Sequence, residues 1–231
     1  MLQTQTVTAD TLALTKQLMA NPRLNDFVLV GGTALALTIG HRHSIDIDLF
    51  TQNSFDTHAV ADMLKTDYGA EYIKTFKNSV ICVINGIKTD LIGHPYPEVE
   101  PHKTVDGIRI MSLPDIAAMK LHAIVQSGSR IKDFADIYFL LEHMPLSKMY
   151  AAYEGKYHPD ASRAVARIAL NDTSHVNIHN EIILADRLFE WVKIKERLRT
   201  AIEFYDRKFA SSKSQAVKEE ERKKKNRGMR P

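Results

Sequence analysis

One cysteine is too few for an internal disulfide, and Cys82 lies in the apolar run of residues 80–84, where it reads as a small core side chain. Long hydrophobic runs are absent as well: none approaches the roughly 20 residues that cross a bilayer. Residues 1–14 have no basic start followed by an apolar stretch, so no signal peptide is expected. Nor does the sequence repeat internally. These absences point to a cytoplasmic protein without a membrane partner. What is present is ordinary globular composition, 44% hydrophobic and 26% charged over 231 residues, enough for one large domain or two small ones with real cores. The net charge of +3 conceals an asymmetry. From Arg207 onward the chain holds ten Lys and Arg against three Glu, so a basic tail follows a mildly acidic body. Such a tail suits phosphate contacts with nucleic acid, and it equally suits a solvated terminus.

Strand and helix signals divide the chain. Residues 9–19 favour a helix that Asn21-Pro22 ends. Residues 27–30 read as a short buried strand closed by Gly31-Gly32, with Thr33 placed to cap a short helix to Thr38. Residues 45–50 alternate apolar and acidic, the period of a strand. A helix is predicted over 56–68 and strands over 72–76, 80–84 and 87–92. The last two are joined by Asn85-Gly86, a turn pair that tolerates positive φ. Pro95, Pro97 and Pro101 mark a loop. From Ser112 the period becomes helical: Ser112 and Asp115 make a capping-box-like pair with Pro114 in the first turn, and Ser127-Gly128-Ser129 breaks the helix after Gln126. A second helix over 131–142 carries Phe134, Ile137, Tyr138 and Leu141 at helical spacing. Leu188, Trp191, Ile194, Leu198, Ile202 and Tyr205 mark an apolar stripe on a long helix. After Ser211 apolar residues are few, and disorder is expected. The expected fold class is α+β: a mixed sheet with flanking helices in residues 1–111, a helical domain in 112–210 and a basic tail in 211–231.

Asp46 and Asp48 stand two apart on a predicted strand, so both side chains leave one face while Ile45, Ile47 and Leu49 leave the other. Paired carboxylates repel unless a cation lies between them, and Mg²⁺ takes carboxylate and phosphate oxygens. A solvated strand face also explains the pair. Asp90, in Lys88-Thr89-Asp90-Leu91-Ile92, interrupts a strand that ought to be apolar. It can serve as a third ligand and as base for an attacking hydroxyl, or simply face solvent. Gly31-Gly32-Thr33 lets backbone N–H groups approach a phosphate, and a tight turn with a Thr cap is the plain alternative. Lys120 lies among Ala117, Ala118, Leu121 and Ala123, where it either snorkels or offers a point charge to phosphate. Lys132 and Asp136 are four apart, the spacing of a helix-surface ion pair. Arg42 precedes the acidic pair and can contact substrate or pair with a site carboxylate. His41 and His43 lack companion ligands, which argues against zinc.

In combination these residues say more. Gly32-Thr33, twelve further residues, Asp46-Ile47-Asp48 and a later strand carrying Asp90 resemble the signature of the DNA polymerase β-like nucleotidyltransferase superfamily. More narrowly, Gly-Gly-Thr-Ala-Leu-Ala-Leu from Gly31, followed by residues 41–50 (His-Arg-His-Ser-Ile-Asp-Ile-Asp-Leu-Phe), resembles the nucleotidyl transferase AbiEii toxin family. Lys88-Thr89-Asp90 is similar to that family's second block. Met119-Lys120 and the run from Arg130 to Tyr138 are similar to its helical block. The resemblance covers residues 26–145. Thr33 stands where many superfamily members have serine, and it keeps the hydroxyl.

The resemblance implies a nucleotidyltransferase-fold sheet followed by a helical domain, and an EC 2.7.7-type enzyme. Two Mg²⁺ ions are expected on Asp46, Asp48 and Asp90, with NTP as substrate. Lys120 and Asp136 are expected beside those acids as catalytic residues, Asp136 ahead of Asp133. Gly31, Gly32, Thr33, Arg42, Ser44, Lys88 and Lys132 are expected on the nucleotide and its phosphates. The activity implied is transfer of NMP to a macromolecular acceptor, with tRNA or another RNA first, by the toxin of a bacterial toxin–antitoxin or phage-defence pair. A separate antitoxin is then the expected protein partner. Two alternatives stay open: a small-molecule, antibiotic-type nucleotidyltransferase, and a regulatory module that binds nucleotide without catalysis.

Overall fold

The computed structural model describes residues 1–179, 182–185 and 189–227, with side chains to residue 209. Helix α1 (Ala9–Ala20) starts where the Thr8 hydroxyl accepts the Thr11 N–H, and Asn21-Pro22 ends it. Strand β1 (Val28–Leu29) runs into α2 (Gly31–Ile39), and β2 (Ile47–Thr51) follows. Helix α3 (Thr57–Tyr68) is capped by Asp56, whose carboxylate accepts the His58 and Ala59 N–H groups. It closes on Gly69 at φ +65°. Strands β3 (Glu71–Phe76), β4 (Ser79–Ile84) and β5 (Ile87–Gly93) form a meander. Asn85 at φ 50° and Gly86 at φ 77° make the predicted hairpin turn.

A further hairpin, β6 (Lys103–Val105) and β7 (Ile108–Ile110), occupies part of what read as a proline-marked loop. Asp106 and Gly107 turn it, both at positive φ. That Asp-Gly pair between Val105 and Ile108 was the available signal.

Among the described residues the seven strands form one mixed sheet in the order β3-β4-β5-β2-β1-β7-β6. Strand β2 runs parallel to β5 and antiparallel to β1, which places the meander and the β6–β7 hairpin on opposite sides of it. Ile47, Leu49 and Thr51 of β2 are buried while Asp48 and Phe50 on the alternate face are half-buried, the period expected of a strand with one wall in the core. Cys82 is buried with the core face of β4, as its apolar neighbours suggested, and burial pushes its thiol up to about 11.

Helices α4 (Leu113–Gln126), α5 (Ile131–Leu140), α6 (Leu146–Tyr157), α7 (Arg163–Asn171) and α8 (Trp191–Arg227) follow. Ser112 caps α4 by accepting the Asp115 N–H, with Pro114 in the first turn. On α8, Ile194, Leu198 and Ile202 are buried, with Trp191 and Tyr205 packed beside them; Leu188 of the predicted stripe lies outside the described residues. The α8 backbone stays helical to Arg227, through most of the stretch where few apolar residues suggested disorder. Lys, Glu and Arg are good helix formers, so low hydrophobicity alone did not decide the backbone there. The buried apolar side chains of the sheet and of the helices belong to one continuous core. Among the described residues no helix is long and apolar enough to cross a membrane.

Candidate functional site

The site begins with register. Asp48 of β2 and Asp90 of β5 are paired Cα to Cα across a parallel ladder, so their side chains leave the same face. Asp46, two residues before Asp48, precedes the strand and is half-buried. The Asp48 carboxyl is raised above its ordinary value, first by burial, then by the neighbouring charge of Asp90, with Asp46 adding to it. Asp90 is buried and its Oδ1 has no hydrogen-bond partner, while its Oδ2 lies 2.5 Å from the Lys88 ammonium. Burial pulls the Lys88 amine down, yet Asp90, Asp48 and Asp46 hold it above its ordinary value.

Gly31 and Gly32 open α2 beside these carboxylates. No side chain caps that helix, so the first-turn N–H groups lie beside Asp48 with no intrahelical acceptor. Gly31 has φ +71°, and a Cβ there would run into the Asp48 carboxylate. A Cβ on Gly32 would run into the Arg42 guanidinium. The glycines therefore allow a close approach that any other residue would block.

Three of the expected site residues, Thr33, Asp136 and Arg42, are buried and held by other parts of the chain. Thr33 is buried inside α2; its Oγ1 lies against the Asp46 carbonyl oxygen and 3.0 Å from Ser44 Oγ. Rather than capping the helix or meeting a phosphate, it ties α2 to the start of β2. Asp136 is fully buried on α5. Its Oδ1 accepts from Arg42 Nε at 2.7 Å and lies 2.8 Å from His41 Nε2; its Oδ2 accepts from Arg42 Nη2 at 3.1 Å and pairs with Lys120 at 2.7 Å. Burial opposes its charge, but Arg42 and Lys120 hold its carboxyl well below the usual carboxylate range. Asp136 thus has no exposed surface, and both its oxygens are taken by Arg42, His41 and Lys120. It does not form the expected surface pair with Lys132. Arg42 is likewise committed, since its third nitrogen, Nη1, donates to the His43 carbonyl.

Lys120 spans the two regions. Its ammonium pairs with Asp133 at 2.9 Å as well as with Asp136, and its charge also acts on Asp48. It lines two clefts that meet at Gly32, Asp48 and Arg130. One, of about 390 Å³, is lined by Arg42, Ser44, Asp46, Lys132 and the segment Ile182-Ile183. The other, of about 410 Å³, adds Gly31, Phe50, His94, Tyr96, His122 and Tyr157. Arg130, exposed and near Asp133, was not singled out from the sequence; it stands in a break between helices where no periodicity marks it. The aromatic set was missed too. Its signal was local, the Gly93-His94-Pro95-Tyr96 run directly after the Asp90 strand.

Among the described residues no three Asp, Glu, His or Cys side chains close on one point as a ready-made metal cage. The expected three-carboxylate cluster is here an Asp48–Asp90 pair with Asp46 beside it. That donor set still fits Mg²⁺, which typically takes one or two carboxylates and leaves its other positions to phosphate and water. The orphaned Asp90 Oδ1 and the mutual repulsion felt by Asp48 are what a bound divalent ion relieves.

The sheet presents paired carboxylates beside a glycine-opened helix, and comparison with known proteins places the chain in a nucleotidyltransferase family. Residues 12–190 match the nucleotidyl transferase AbiEii toxin family, described as a type IV TA system, and the chain belongs to that family. An uncharacterized protein of Aquifex aeolicus is 40% identical over 121 residues, which are 51% of this chain and 58% of that protein. The chain thus spans little more than half the length of this relative. In fold it is similar to a Helicobacter pylori protein described as a putative nucleotidyltransferase (TM-score 0.53, 18% identity, 88% of this chain and 98% of the other). It is also similar to JHP933 from Helicobacter pylori (TM-score 0.52, 16% identity, 93% and 99%).

Proposed function

We propose that the chain transfers a nucleoside monophosphate from an NTP to a hydroxyl of a macromolecular acceptor, RNA foremost and tRNA among RNAs, as the toxin of a toxin–antitoxin or phage-defence pair. The observation that carries this reading is the Asp48–Asp90 register beside the uncapped, glycine-opened N-terminus of α2. In the reaction the acceptor oxygen bonds to the α-phosphorus, the bond from that phosphorus to the β-bridging oxygen breaks, and pyrophosphate leaves. Asp48 and Asp90, with Asp46 beside them, would hold Mg²⁺, which when bound would neutralise charge at the attacking and leaving oxygens. Asp90 accepts the acceptor hydroxyl's proton. The N–H groups at Gly31 and Gly32, with Lys120, Lys132 and Arg130, hold the triphosphate and stabilise departing pyrophosphate. Ser44 orients it from the cleft wall, and Lys88 is displaced from Asp90 onto phosphate. A separate antitoxin is the protein partner that family membership suggests.

The test is incubation of the purified chain with Mg²⁺, each α-labelled NTP and total RNA, with an aminoglycoside panel in parallel and Asp48→Ala as control. Label in RNA, lost in the control, supports the reading. Label only in small molecules moves the substrate class. No label anywhere refutes catalysis.

A further inference from the structure

The cleft shared by Gly31, Gly32 and Asp48 has an aromatic end that the chemistry above does not use. Phe50 lies two residues beyond Asp48 on β2, on the same face, and His94 and Tyr96 follow the end of β5, the strand that carries Asp90. His94 lies 5.1 Å from Phe50 and 4.7 Å from Tyr96, ring centre to ring centre. Tyr157, almost wholly buried, backs the group: it stacks on His122 at 4.0 Å and 11°, meets Tyr96 edge-on at 4.6 Å, and places its Oη 3.3 Å from His94 Nε2. Phe50 and Tyr96 pack against the core, yet they, His94 and His122 are only half-buried and keep part of each ring on the cleft. Gln126, exposed, stands on the same cleft with an amide able to read a base edge.

We propose that this aromatic end is a nucleobase subsite, in which a planar base stacks against the rings while the attached phosphates lie at Gly31, Gly32 and Asp48. The volume, about 410 Å³, is that of a small-molecule site. Aromatic faces give sequence-tolerant stacking, and such stacking is separable from the cationic cleft on the other side of Lys120. Burial lowers both histidines, His94 to about 4, so the two imidazoles add no charge to the aromatic end at neutral pH. The base comes from the incoming NTP or from the terminal nucleotide of the acceptor. The inference rests on the transferase reading.

Two fluorescent probes distinguish the sources: 2-aminopurine riboside triphosphate, and a short single-stranded RNA with 2-aminopurine at its 3′ end. Inorganic tripolyphosphate, which has no base, reports the phosphate site separately. With Mg²⁺ present, wild type is expected to quench one probe by stacking. Tyr96→Ala is expected to abolish the quench and weaken that probe about tenfold, and Tyr96→Phe to restore it, with tripolyphosphate affinity unchanged throughout. The probe that responds names the source. Tripolyphosphate binding to wild type without quenching of either probe overturns the base subsite and leaves the transferase reading standing. Failure of wild type to bind tripolyphosphate or either probe overturns both.

Discussion

Asp136→Ala tests the assignment of Asp136 to support. In the wild type this side chain is 0% exposed and neutralises Arg42 and Lys120, both also buried. Its removal leaves Lys120 with Asp133 at 2.9 Å, but Arg42 loses its only carboxylate partner among the described residues. Removing one member of a buried ion network costs about 3–5 kcal/mol, because the remaining charge stays desolvated. Against a total stability of roughly 5–15 kcal/mol, that is a large fraction. At about 2–4 °C per kcal/mol for a chain of this size, the melting temperature falls by roughly 10 °C. Thermal and urea unfolding followed by circular dichroism measure it. Asp136→Leu combined with Arg42→Met, which removes both partners of the Arg42–Asp136 pair, regains part of the loss. A single variant destabilised by less than about 1 kcal/mol refutes the argument. One that kept its melting temperature yet lost nucleotidyl transfer returns Asp136 to the chemistry.

Asp90→Asn keeps the shape but removes the like charge opposite Asp48, so nucleotidyl transfer falls by about 10²–10⁴ while unfolding in Mg²⁺-free buffer is unchanged within about 0.5 kcal/mol; equal activity refutes the role. Gly31→Ala loses about 1–2 kcal/mol from its positive φ and also transfer, because the added carbon meets the Asp48 carboxylate. Gly69→Ala, with φ +65° and nothing within 4 Å, shows the backbone loss alone in the same unfolding assay. His94 titrates at about 4 in the folded chain against an ordinary value of 6.5, lowered by burial and then by Lys156 and His122, with Asp115 opposing. The unfolded chain therefore binds the extra proton first, and this contribution to stability, full above pH 6.5, is lost as pH falls towards 4. His94→Phe flattens the stability profile across that window; parallel wild-type and variant profiles refute the shift.

Local chemistry reached a long way. Alternation put Ile47 and Leu49 in the core and Asp48 on the other face because the strand period is two, whereas Asp46 and the exposed Ile45 precede the strand and escape it. Asn85-Gly86 declared its hairpin, and Ser112 its helix start, because turn and cap preferences act over four residues or fewer. Asp106-Gly107 carried the same kind of signal, but the surrounding prolines pointed to a loop. The motif order made the family legible because those spacings are tied to the chemistry.

Long-range partners were not legible from the residues alone, and only the family resemblance set Asp90 beside Asp46 and Asp48. That Asp90 would stand opposite Asp48 depended on β5 inserting beside β2 with one particular register, a choice made by the whole sheet. Arg42 and Asp136 are 94 positions apart, and nothing in either neighbourhood names the other. A charged residue on an apolar helix reads the same from sequence whether it meets substrate or neutralises a buried cation. Helical and strand periods, caps and turns are set by contacts between near neighbours, so they can be read along the chain. Which charges become buried together is set by chain folding over long separations, where desolvation converts a weak surface pairing into a strong constraint, and only the packed molecule decides it.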